Sequence, residues 1–233
     1  MAADENPGKE GRGVKKILSR MGTAVKEILY PEGATCLECG RISDGRCLCP
    51  ECRKALRGSD LMGSWDSRDL QGAQAWSIRP HWGIARDLVI RLKHGAAACA
   101  AEELAGLLED RPSLFPVFPP ETVVTWVPMP AARRRERCID HGRVLAECTA
   151  RQLGLCCRQL LRRRGNGHTQ EGLSMARRQK NLRTAFAPAE EIGFPVLLVD
   201  DVLTTGTTAE RCVAALREGG AREITVLTMT KAL

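Results

Sequence analysis

The sequence predicts an α/β protein built on a parallel sheet with helices on both faces, preceded by a small cysteine-rich module. Three observations predict it. Short β-branched runs alternate with helical patterns in the second half of the chain, the order that builds parallel sheets covered on both faces. One of those runs, PVLLVDDVLTTGTTAE from Pro195 to Glu210, leaves a strand through two acids and enters a helix through threonines and a glycine. Two C-x-x-C pairs sit close together near the N-terminus.

The chain has 233 residues, enough for one main domain and a smaller module. A hydrophobic content of 43% supports a packed core. The formal net charge of +7 favours phosphate-bearing partners without choosing between nucleotides and nucleic acid. Aromatic content of 4% argues against a dedicated base-stacking platform. No stretch approaches the roughly 20 apolar residues of a membrane span, and ADENPGKEGRG lacks the order of a secretory signal. A cytoplasmic location is the expectation, and the eleven cysteines then call for a use other than disulfides.

Residues 1–13 read as a disordered tail. From Val14 to Leu29 apolar residues recur at helical spacing, so an amphipathic helix is expected there, and with the cysteines it makes a module over 14–56. In CLECGRISDGRCLCPEC, Cys36-x-x-Cys39 and Cys49-x-x-Cys52 flank a nine-residue spacer. Each pair forms a knuckle that turns two sulfurs toward one ion, and two knuckles complete a tetrahedron. A structural Zn2+ is expected, since four thiolates leave no open position for chemistry. Cys47 is the spare thiol, because a C-x-C pair is less usual. The other cysteines, including Cys99, Cys156 and Cys157, show no ligand spacing and read as small buried hydrophobes.

Residues 57–75 are polar and Gly-rich and read as a linker, which leaves 76–233 as the main domain. His81 to Leu108 is helical by pattern, interrupted at Lys93-His94-Gly95. TVVTWVPMP (Thr122–Pro130) reads as a buried strand stopped by prolines, followed by a basic helical segment. Residues 162–186 read as a long exposed loop. Then come a strand over 196–199, the acidic and threonine-rich turn, a helix from near Ala209 to Glu218, Gly219-Gly220 as its stop, and a strand over 223–230.

Ligands of open α/β sheets bind beyond the carboxyl ends of strands, so Asp200 and Asp201 are placed at a site mouth. Two adjacent carboxylates need hydroxyls, a cation or amides as partners. Thr204, Thr205, Gly206, Thr207 and Thr208 lead into a helix start, where backbone N–H groups and hydroxyls form a nest for phosphate. One turn therefore offers acceptors for a diol and donors for a phosphate, the two groups of a ribose 5-phosphate. No P-loop and no dinucleotide-binding glycine pattern competes with that reading.

The acid pair and Thr/Gly turn resemble the phosphoribosyl-pyrophosphate (PRPP) binding motif of type I phosphoribosyltransferases. By that resemblance Asp200 and Asp201 hold the ribose hydroxyls and are the catalytic pair, Thr204–Thr208 holds the 5-phosphate, and Mg2+ arrives largely on the pyrophosphate. Together with the paired knuckles, Arg91-Leu92-Lys93-His94-Gly95, VPMPAARRRER and TQEGLSMARRQKNLRTAF, the chain resembles the ComF family of competence-associated proteins over about residues 24 to 231. The resemblance implies a phosphoribosyltransferase-like domain with a zinc module, linked to DNA uptake. Pyrophosphate falls to the loop with Met129, Pro130, Ala131, Arg133 and Arg134, where small residues allow close approach and arginines give charge-assisted bonds. Thr169 to Arg183 corresponds to a closing loop, with Arg178 and Lys180 in reach of phosphate.

Where the family usually shows R-G-F-N-Q, this chain has Arg137-Cys138-Ile139-Asp140-His141. His141 reads as a surface histidine. Two functions follow: a PRPP-binding protein that handles single-stranded DNA alongside competence helicase and DNA-processing proteins, or a phosphoribosyltransferase (a glycosyltransferase) that transfers ribose 5-phosphate to a nitrogenous base. The basic runs Arg133–Arg137 and Arg162–Arg164 suit the first.

Overall fold

The computed structural model describes residues 34–43, 45–58, 66–94, 97–113, 115–130, 133, 139–164 and 185–232. The expected tail, the amphipathic helix, most of 57–65, Ala131, Arg134, Arg178 and Lys180 lie outside the described residues. The chain divides into two compact units, 1–50 and 51–233.

In the first unit, Thr35 and Ile42 form an isolated antiparallel bridge. Between them the chain reverses: Cys36 N–H donates to Arg41 O at 2.7 Å and Gly40 N–H to Cys36 O at 2.9 Å. Gly40 has φ 72°, a conformation that costs glycine little.

The second unit holds a six-stranded sheet. Its strands are β1 (Asp66–Leu70), β2 (Ala73–Pro80), β3 (Val123–Trp126), β4 (Cys156–Cys157), β7 (Val196–Leu203) and β8 (Ile224–Lys231). Their order is β1-β2-β8-β7-β3-β4. Only β1 pairs antiparallel; every other pairing is parallel. A separate antiparallel ribbon joins β5 (Leu161–Arg163) to β6 (Phe186–Pro188). The helices are α1 (Pro50–Arg57), α2 (Gly83–His94), α3 (Ala97–Gly106), α4 (His141–Leu153) and α5 (Thr207–Glu218).

β3 is buried at all four positions and β7 at Val196 through Val199. Side chains buried on both faces of a central strand contribute about 1.5–3 kcal/mol each. Helices α2, α3 and α4 pack in series, whereas α5 packs against the β5–β6 ribbon and β1. These two groups satisfy the two faces that the apolar strands require.

Several readings change. Residues 66–70 and 73–75 are strands and not linker; β1 is an edge strand in which, among the described side chains, only Leu70 is buried, so its polar sequence carries no strand signal. Residues 161–163 and 186–188 are paired, so the expected loop over 162–186 begins and ends in a ribbon. The β7 strand runs to Leu203, and α5 begins at Thr207, ahead of Ala209. The two-residue β4 was not foreseen, and it leaves Cys156 exposed and Cys157 half-buried.

Helix α4 starts where the chain departs from the family pattern. Asp140 is its N-cap, accepting from Arg143 N–H at 3.3 Å. Loss of that cap should cost about 1 kcal/mol. We expect Asp140→Ala to lower the urea midpoint accordingly, with an unchanged slope.

Candidate functional site

The site begins with an inequality in strand pairing. β3 accompanies β7 only as far as Val199, opposite Trp126, while β8 continues to Leu203, opposite Lys231. At Asp200 the strand has lost one neighbour and kept the other. The crossover from β3 leads outward to β4 and that from β7 leads the opposite way to β8. The carboxyl ends of β3 and β7 therefore flank a topological switch point, where open sheets of this kind bind ligands.

Asp201 is buried and both its oxygens are engaged: Oδ1 lies 3.0 Å from Lys93 Nζ and Oδ2 lies 3.5 Å from His141 Nε2. Asp200 is half-buried and its Oδ1 accepts from Asp201 N–H at 2.9 Å. Behind them, Thr230 Oγ1 donates to Asp201 O at 3.2 Å and lies 2.8 Å from His81 Nδ1. A hydroxyl has one proton, so once it is given to Asp201 O, Nδ1 of His81 must be the donor. Burial first, then the Lys93 charge, lowers the pKa of His81 and favours the neutral ring.

The two acids are driven apart. Burial, and then the charge of Asp201, pushes Asp200 up to about 7. Burial alone would raise Asp201 too, but the hydrogen bond from His141 and the charge of Lys93 hold it below its ordinary value. Asp201 is thus a fixed anion, and Asp200 exchanges its proton near neutrality.

Past Leu203 the turn exposes Thr204, Thr205, Thr207 and Thr208. Thr205 and Thr207 hydroxyls meet at 2.9 Å. Gly206 is the N-cap of α5 with φ 86° and offers no side-chain cap. The first-turn N–H groups of α5 are donors with the positive end of the helix dipole behind them.

The β3 loop holds Met129 buried and Pro130 half-buried, with Arg133 exposed beyond. Pro128 O accepts from Arg163 Nε at 2.8 Å, and the same guanidinium lies 4.8 Å above the Phe186 ring. Arg164 pairs with Glu218 at 3.1 Å. Two of the three residues of the run Arg162–Arg164 are therefore committed within the fold.

Sequence reasoning missed His81, Arg163 and the part played by His141, which is a partly buried partner of Asp201. Lys93 was marked only by its place in the R-L-K-x-G segment.

The four predicted metal ligands converge. The Sγ atoms of Cys36, Cys39, Cys49 and Cys52 all lie within 4.8 Å of one another, and those of Cys39 and Cys49 are 3.7 Å apart. A tetrahedron with bonds of about 2.3 Å has edges near 3.8 Å, so the cluster fits one zinc ion. Burial would raise the Cys36 thiol, but backbone N–H groups of Cys39, Cys49 and Glu38 lower it overall. Cys47 stands outside the cluster and is disulfide-bonded, as is Cys99, which departs from the expectation of an unpaired hydrophobe.

No family model matches the chain. It is similar to "Competence protein F" of Haemophilus influenzae, 34% identical over 118 residues that cover 48% of this chain and 51% of that protein. The chain spans about half the length of this curated relative. Among solved structures it matches an allosteric regulatory enzyme of purine biosynthesis (26% identity, TM-score 0.42, 57% of this chain and 26% of that one). It also matches glutamine PRPP amidotransferase from B. subtilis complexed with ADP and GMP (23% identity, TM-score 0.41, the same two coverages of 57% and 26%). The chain is ComF-like in sequence, and its mostly parallel sheet has the α/β form that the resemblance implies. Among the described residues no helix is long and apolar enough to cross a membrane.

Two measurements follow. Because the folded-state pKa of Asp200 lies above its ordinary 3.8, the folded state binds the extra proton and stability falls as pH rises between the two values. Asp200→Asn lacks that term, so its stability relative to wild type should climb from about pH 4 to pH 7 and level off above, in urea unfolding at stepped pH. Elemental analysis should find one zinc ion per chain, and Cys39→Ser, at an exposed ligand, should release it to a chelator faster.

Proposed function

We propose that this chain is a ComF-type PRPP-binding protein of the cytoplasm, acting in DNA uptake and the handling of single-stranded DNA during transformation. The observation that supports the ligand is one turn: an acid pair at a switch point, followed directly by a threonine-lined helix start whose N-cap, Gly206, has no side chain to occupy the amides. A ribose 5-phosphate has a diol for the first and a dianion for the second.

In this reading Asp200 is the working acceptor. It must give up its proton to take the ribose hydroxyls, so binding strengthens as pH rises toward and past 7. Asp201 organises the mouth and keeps Lys93 and His141 in place. The 5-phosphate takes the Thr204–Thr208 hydroxyls and the α5 amides. The pyrophosphate faces the β3 loop from Met129 to Arg133; the carbonyl of Pro128 just before it is occupied by Arg163. Mg2+ would supply charge neutralisation on the pyrophosphate; with both Asp201 oxygens already engaged by Lys93 and His141, water and phosphate oxygens are its natural ligands.

The DNA role rests on the ComF resemblance and on the match to Competence protein F. Any direct DNA contact falls to exposed cations such as Arg133 and Arg162, because Arg163 and Arg164 are engaged. If transfer occurs, the ionised Asp200 would steady positive charge developing at the anomeric carbon.

Calorimetric titration of the full chain with PRPP and Mg2+ should show saturable binding. Asp200→Asn should weaken it by at least about tenfold, the worth of one charge-assisted hydrogen bond. Absence of heat in wild type overturns the ligand assignment. Pyrophosphate release across a panel of nucleobases then tells a transferase from a binder.

A further inference from the structure

We infer that Arg68, on the edge strand β1, is a positioning residue of the phosphate turn and supplies its fixed positive charge. The proposal rests on the PRPP-binding reading and deepens it. The Thr204–Thr208 turn has no charged side chain, and Glu210 in the first turn of α5 adds a negative one. A phosphate dianion there would meet only neutral donors and the partial charge of a helix end. Arg68 fills that gap.

Its Nη2 donates to Thr204 O at 3.2 Å, across 136 residues of sequence. A Cβ on Gly206 would lie 2.6 Å from the same Nη2 and 3.0 Å from Leu70 Cδ2. Arg68 and Leu70 stand two apart on β1 and so share one face. Leu70 is buried under the turn, and Arg68 reaches along it. Gly206 is thus required twice, by its φ of 86° and by the closeness of a guanidinium. With the Thr204 carbonyl drawn to Arg68, the turn is held in a form in which Gly206 gives α5 no side-chain cap and, among the described residues, only the Thr207 amide reaches a hydroxyl, Thr205 Oγ1 at 3.4 Å. Arg68 Nε is buried with no hydrogen-bond partner, a cost the fold bears to keep the group in this place.

The test uses full-length wild type, Arg68→Ala and Arg68→Lys. Each is titrated separately with PRPP–Mg2+, ribose 5-phosphate and Mg-pyrophosphate, and thermal unfolding serves as a folding control. Arg68→Ala should weaken ribose 5-phosphate and PRPP by about 10- to 100-fold, the range for a lost charge-assisted contact, while pyrophosphate affinity stays within about twofold. Arg68→Lys keeps the charge but loses the fork, and should recover part of that loss. Added salt should weaken wild type more than Arg68→Ala, which a purely structural role would not produce. If wild type binds PRPP and Arg68→Ala binds ribose 5-phosphate equally well, the role of Arg68 is overturned and the ligand assignment stands. Parallel loss of pyrophosphate binding in both folded variants also overturns it. A wild type that binds none of the three overturns both.

Discussion

The unequal reach of the strands on either side of β7 is the constraint from which the site follows. Four residues, Asp200 to Leu203, stay in the sheet on one side only. Their backbone is fixed by β8, yet their other edge faces a crevice and not a ladder. That arrangement gives the acids a rigid support and an open side at once. Thr230 strengthens the support from the β8 side by binding the Asp201 carbonyl, and His81 completes its hydrogen bonding.

The acid pair also shows how identical neighbours acquire different properties. Chain alternation sends the two side chains to opposite faces of β7. Asp201 meets Lys93 and His141 and is held ionised. Asp200 is given an amide from the next residue and little else, and its carboxyl is raised. Two helices far apart in sequence, α2 and α4, bring these side chains to one carboxylate.

Much of this was legible in the sequence, for physical reasons. Val196 to Val199, the acid pair, the threonines and Gly206 form a local signal: strand, turn and helix start lie within one stretch, so their order encodes their geometry. The cysteine knuckles are local in the same way, and their sulfurs converge as their spacing implied. What was hidden is non-local or lies on an edge. β1 is short and polar because an edge strand packs on one face only, and the Gln71-Gly72 turn beside it reads by sequence as part of a linker. Lys93 and His141 carry no sequence mark of their meeting at Asp201, since the contact depends on where α2 and α4 end up. Arg163 read as one more surface cation, although its hydrogen bond to Pro128 and its place over Phe186 make it part of the frame.

The clamp on Asp201 bears on a different matter, the approach of a ligand. For the polyphosphate ligand proposed above, two carboxylates at the mouth would ordinarily slow encounter, since the charge nearest the entrance has the wrong sign. Here one acid is masked by an ammonium and an imidazole, and the other tends to carry its own proton. An arriving polyanion meets a mouth already close to neutral, within a chain of net charge +7. Under the proposed reading, the charge on Asp200 is only partly developed near neutrality, and ribose hydroxyls that bind its ionised form draw the rest of it out after contact.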